Sequence, residues 1–114
     1  MKYDIIATPF FLKKIKKLAK HYLSLYKDYD VFLSELKACP QMGIDLGNGL
    51  HKIRMRISDK NKGKSGGARV ITFTVVVATE ESQLYLVCIY DKSERENMTN
   101  DEIRLVLRES GLIE

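Results

Sequence analysis

The sequence predicts an α+β fold: a strand and two helices, then a meander of three antiparallel strands, then a last helix. Three observations predict it. From His51 to Ile57 apolar residues alternate with Lys52, Arg54 and Arg56, the period-two pattern of a half-buried strand. Two later runs, RVITFTVVV and LYLVCIY, are dense in β-branched and apolar residues and are separated by the turn Glu80-Glu81-Ser82. On either side of these strands, apolar residues recur at helical spacing behind clear helix starts. Strands joined by short turns pair antiparallel.

Each element has a local reason. Residues 3–8 (YDIIAT) form a short strand. Thr8 then caps a helix whose first position is Pro9, and the helix runs to about residue 24. Phe11, Ile15, Leu18 and Tyr22 make its apolar stripe, and Lys13, Lys16, Lys17 and Lys20 lie on the opposite side. Such a lysine face is usually only solvated; the functional alternative is a second contact to nucleic acid. Residues 25–30 break the pattern. A shorter helix follows over residues 31–38, entered through Asp28 or Asp30, packing Phe32, Leu33 and Leu36 and stopped by Pro40. QMGIDLGNGL, with its glycines, reads as a loop. The strands at residues 69–77 and 84–90 are apolar almost throughout, which suits central strands covered by helices on one side. Thr99 and Glu102 form a capping box for the last helix, which buries Ile103, Val106 and Leu107 and stops at Gly111.

At 114 residues the chain reads as one domain, and 45% hydrophobic with 30% charged residues is a soluble globular composition. No apolar run approaches the roughly 18 residues of a membrane span, and MKYDIIATPFF has no signal-peptide core. Cys39 and Cys88 stand alone, as reduced thiols of a cytoplasmic protein do. With His21 and His51 they have no metal-ligand spacing, so neither metal nor other cofactor is expected.

The chemistry is cationic. Between Lys52 and Arg69 lie seven basic residues and one acid, a local charge of +6 in a chain whose total is +4. Together with a pI near 9.1 this points to a polyanionic partner. Lys52, Arg54 and Arg56 are on the strand, Lys60, Lys62 and Lys64 on the loop, and Arg69 at the base of the next strand. Gly66 and Gly67 would let the backbone approach a ligand, and a strand-borne arginine can fork two bonds to one phosphate. The alternative is a solvated hairpin tip. In a meander the end of the 84–90 strand lies beside the start of the 69–77 strand, so Tyr90, Lys92 and Arg95 should fall near Arg69. Such a cluster can cleave RNA as well as bind it. RNA carries its own nucleophile, the 2′-hydroxyl, and needs alignment, charge stabilisation and two proton transfers. Crowding of like charges can also ready an amine to accept a proton.

GKSGGARVIT, followed by YLVCIYDKSERENMTNDEI, resembles the RelE/ParE toxin superfamily, and within it the RelE/HigB-type mRNA interferases of bacterial type II toxin–antitoxin systems. Pro40, Gly43, Gly47 and Gly49-Leu50, leading to Lys52 and Arg54, are also similar to the family. The resemblance implies a small RelE-like fold, a twisted antiparallel sheet with two N-terminal helices on one face and a C-terminal helix. It implies an endoribonuclease that arrests translation by entering the ribosomal A site and cutting mRNA through metal-independent 2′-hydroxyl attack. It implies a cognate antitoxin, a small helix-turn-helix protein. By motif, Arg69 binds the phosphate, and Lys62, Lys64 and Lys92 are its catalytic companions. Lys52, Arg54, Arg56, Lys60 and Arg95 are the remaining RNA-binding cations. Some members carry a catalytic tyrosine before the last helix, where this chain reads Asn97-Met98-Thr99, so the proton donor and acceptor stay open. Two other readings share the scaffold: a ParE-like poison of a topoisomerase, and a non-catalytic RNA- or protein-binding domain.

Overall fold

The computed structural model describes residues 1–61, 63 and 66–114. Five strands form one sheet in the order β1-β5-β4-β3-β2, with β1 at Lys2–Ala7, β2 at Ile44–Gly47, β3 at Leu50–Met55, β4 at Ala68–Ala78 and β5 at Glu81–Asp91. The helices are α1 (Pro9–Ala19), α2 (Leu25–Ala38) and α3 (Asn100–Glu109), with a single 3₁₀ turn at Ser58–Lys60. The expected α+β class and RelE-like arrangement hold. The sheet is mixed rather than wholly antiparallel: β2 to β5 are antiparallel neighbours, but β1 runs parallel to β5. Between β1 and β5 the chain passes through both long helices and then β2, β3 and β4, the kind of long connection that parallel neighbours require.

Both caps form as read. The Thr8 hydroxyl accepts from Phe11 N at 3.1 Å and donates to Leu86 O at 2.9 Å, so one side chain starts α1 and ties it to β5. Thr99 and Glu102 complete the reciprocal capping box of α3. Gly111, at φ +73°, turns the chain after α3, and Leu112 N reaches back to Leu107 O at 2.9 Å.

Three expectations are corrected. The first helix ends at Ala19, not near residue 24: the backbone tightens to i→i−3 bonds at Lys20 and His21, and the Tyr22 hydroxyl beyond them donates to Asp91. The second begins at Leu25. Leu25, Asp28, Phe32 and Leu36 form its buried stripe, and Asp28 hides the periodicity because a carboxylate occupies a core position. Asp28 is tolerated there because it accepts from Ser24 Oγ, Ser58 N and Ser58 Oγ. Burial works against its ionisation, but these hydrogen bonds and nearby Arg56 outweigh it and hold the carboxyl below the usual carboxylate range. Third, the glycine-rich loop contains β2. Asn48 and Gly49 both have positive φ, the two-residue hairpin turn that an Asn-Gly pair favours, and β2 pairs with β3 across it.

Two cores lie on opposite faces of the sheet. Phe11, Ile15 and Leu18 of α1, with Leu25, Phe32 and Leu36 of α2, cover Ile53, Met55, Val70, Leu84, Leu86 and Ile89. Ile103, Val106 and Leu107 of α3, with Met98, cover Ile71, Val87, Cys88 and Tyr90. The near-continuous apolar runs of β4 and β5 therefore reflect helices on both faces rather than one. The register moves one residue at Val87, between the pairs Ile71–Cys88 and Thr72–Leu86, so a bulge sets which face each later β5 side chain takes.

Candidate functional site

The face that carries α3 is not apolar throughout. On β3 the buried residues Ile53 and Met55 point to the α1/α2 core, so Lys52 and Arg54 point the other way. The register puts Arg54 opposite Arg69, and Arg69 opposite Tyr90, in one row across three strands. Beside this row is a groove of about 520 Å³, lined by Lys52, Arg54, Arg69, Lys92 and Glu96 together with Met42, Gly43 and Ile44 of the β2 edge. Four of the cations singled out from sequence thus meet in one depression.

Arg69 is set deepest, at 7% exposure, where its Nη1 donates to Ala68 O at 3.2 Å. Its backbone is fixed from both sides by β3 and β5. Lys92 is the first residue past β5, and its amide donates to Gly67 O at 3.1 Å, which keeps it level with the start of β4. Gly67 has a structural reason beyond ligand access. A Cβ there would lie 2.2 Å from Met55 O, so the close passage of β4 beside β3 requires glycine. Lys52 Nζ donates to Asn97 Oδ1 at 3.2 Å, joining β3 to the segment after β5.

The other candidates lie elsewhere. Lys60 is buried and turned to the α1 side, where its ammonium contacts Asp91 Oδ1 at 2.6 Å and Ser93 Oγ at 3.2 Å and sits 5.9 Å from the Tyr22 ring centroid. Its charge is already matched. Burial disfavours the Asp91 carboxylate, yet the hydrogen bonds from Lys60, Tyr22 and Ser93 prevail and bring it down to about 2. Arg56 lines a separate cavity with Asp28 and Glu35 of α2. Arg95 binds Glu102 on α3 and stacks 5.9 Å from the Tyr90 ring centroid, facing a second groove between α1 and α3. Lys62 and Lys64 lie outside the described residues.

Sequence reasoning missed Glu96 and Asn97. Their only signal was position, five and six residues past the end of β5. Tyr90, buried, lines the groove between α1 and α3, and burial raises its phenol despite the opposing pull of Arg69 and Arg95. Cys88 beneath it is pushed up to about 11 by burial, so its thiol stays protonated and unreactive. No helix among the described residues is long and apolar enough to cross a membrane.

A clustered set of strand-borne cations on an open sheet face is an anion-binding arrangement, and the comparison with known families agrees with it. Residues 13–112 match a family model described as the RelE toxin of the RelE/RelB toxin–antitoxin system. That match spans every groove residue and all but the N-terminal part of the cores, Phe11 lying outside it. A toxin of such a system has an antitoxin partner, and the chain belongs to the RelE toxin family.

Proposed function

We propose that the chain is a single-domain cytoplasmic toxin that cuts mRNA in the ribosomal A site, with the 2′-hydroxyl of the message as nucleophile and no metal required. The observation that carries this reading is the convergence of Lys52, Arg54, Arg69 and Lys92 on one groove. The scissile phosphate takes its place over Arg69, which is buried, held by two neighbouring strands and able to fork to two phosphoryl oxygens. Arg54 and Lys52 neutralise the adjoining backbone. Lys92 meets the charge that develops on the leaving 5′-oxygen. Uncatalysed, such a cleavage is slow because the nucleophile is misaligned and the phosphorane is unstabilised, and the groove addresses both. The antitoxin, a small helix-turn-helix protein, silences the toxin by occupying or distorting this groove. The lysines Lys62 and Lys64 add attraction from the β3–β4 connection.

The test is cleavage of a defined message on purified programmed ribosomes. Cuts are expected only in the A-site codon, only with a 2′-hydroxyl present, and undiminished by chelator when the ribosomes are shown to stay intact. Co-expression of the adjacent reading frame should suppress the cuts and co-purify. A chain that leaves messages whole but blocks a purified topoisomerase overturns the reading.

A further inference from the structure

Among the described residues, Glu96 is the one carboxylate lining the cationic groove. It stands on a segment held at three points. Lys92 N is bonded to Gly67 O at 3.1 Å at one end, and Met98 is buried in the α3 core at the other. Between them Asn97, the next residue, receives the Lys52 ammonium at 3.2 Å. Glu96 is therefore carried over the sheet row rather than left on a free loop, and it faces Lys52 and Arg54 of β3, Arg69 of β4 and Lys92 of its own segment.

A groove built only to bind phosphates would be weakened by an acid in its wall, because like charges repel. Its presence there has a use if the reaction needs a proton acceptor beside the phosphate. This step rests on the function proposed above. We infer that Glu96 is a catalytic residue, the general base that takes the proton of the 2′-hydroxyl. As the 2′-O–H proton passes to the Glu96 carboxylate, the 2′-oxygen attacks phosphorus and the P–O5′ bond breaks. The 5′-oxygen leaves with a proton donated by the Lys92 ammonium. The products are a 2′,3′-cyclic phosphate and a 5′-hydroxyl, with no oxidant or further reactant. Arg69 holds the negative charge of the phosphorane between the two transfers.

The role predicts a split that a structural part would not give. Glu96 is exposed, so Glu96→Gln should fold with an unchanged Tm. Single-turnover cleavage on programmed ribosomes at saturating toxin should fall by at least about 10²-fold, the scale for losing a general base. The acidic limb of its pH–rate profile should flatten. Binding should move the other way, tightening for the message because an acid has left a cationic groove. Glu96→Asp should recover part of the rate and the limb. A Glu96→Gln rate and acidic limb like those of the wild type overturn the assignment while leaving the nuclease reading intact. A wild-type chain that cuts nothing overturns both.

Discussion

Arg54 on β3 lies directly opposite Arg69 on β4. Two guanidinium groups on facing positions of an antiparallel pair repel, and such a pair costs up to about 1 kcal/mol relative to a neutral one. A fold selected for stability alone would not place them so. The arrangement favours an anion, because a phosphate between the two lessens the repulsion.

Arg54→Gln should therefore raise the stability of the free protein by a few tenths of a kcal/mol while weakening its hold on RNA. The dependence of log affinity on log salt should become shallower by about 0.7 for the one lost contact to a single strand. Thermal unfolding beside ribosome binding at several salt concentrations measures both. A variant that loses stability and keeps its affinity would make Arg54 a structural residue.

Lys60 answers to different physics. Its ammonium and the Asp91 carboxylate are both buried, at 7% and 0% side-chain exposure, so removing either leaves the other charge without its partner. Lys60→Met should cost on the order of 3 kcal/mol, and low salt should not restore it. Its effect on cleavage per folded molecule should be small. A Lys60→Met protein with wild-type stability and a salt-sensitive loss of ribosome binding would return Lys60 to the RNA-binding set.

Asp91 also sets an acid limit on the fold. Its carboxyl titrates at about 2 in the native state against an ordinary 3.8, so folding favours the ionised form. The stabilisation, on the order of 2 kcal/mol, is complete above pH about 4 and is lost as the pH falls toward 2. Unfolding measured between pH 5 and 2 should show this loss in the wild type. In Asp91→Asn, less stable at neutral pH, that part of the slope should be missing.

The two threonine caps differ in what else they hold. Thr99→Ala removes one exposed cap and should cost about 1 kcal/mol. Thr8→Ala removes a buried cap that also donates to Leu86 O, and should cost about 2 kcal/mol. Neither should change cleavage per folded molecule. A stable but inert Thr99→Ala would promote Thr99, just past the Glu96 segment, to the site.

What was legible in the sequence was local. Thr8-Pro9 and Thr99-Glu102 announce helix starts because a cap bonds within its own turn. The alternation from His51 to Ile57 announces which cations leave the core because side-chain direction has period two. What stayed hidden depended on distant partners. Asp28 disguised the start of α2, and its acceptance as a core residue depends on Ser58, 30 positions away. Lys60 resembled its neighbours in the basic stretch until Asp91, 31 positions on, was found against it. β2 was hidden by its glycines, although Asn48-Gly49 was a usable hairpin signal. Glu96 had no signal of its own, since its meaning comes from the cations that surround it.

Arg69 separates binding from catalysis most sharply. Its strand is paired on both sides and its side chain is nearly buried, so the guanidinium is placed before the substrate arrives. Pre-placed charge is what lowers a transition state, since no reorganisation is needed as the phosphorane forms. Arg69→Ala should lower single-turnover cleavage at saturating toxin by at least about 10²-fold, the scale for one lost transition-state contact. Ribosome binding should weaken far less, because Lys52, Arg54 and Lys92 still supply attraction. Arg69→Lys should not recover the rate, because an ammonium cannot fork to two phosphoryl oxygens from that position. The measurement pairs cleavage of a programmed ribosome with a binding assay, on variants whose unfolding matches that of the wild type. If Arg69→Ala cleaves normally once saturated, the guanidinium only recruits RNA, and the charge on the phosphorane must be met by Lys92 and Arg54.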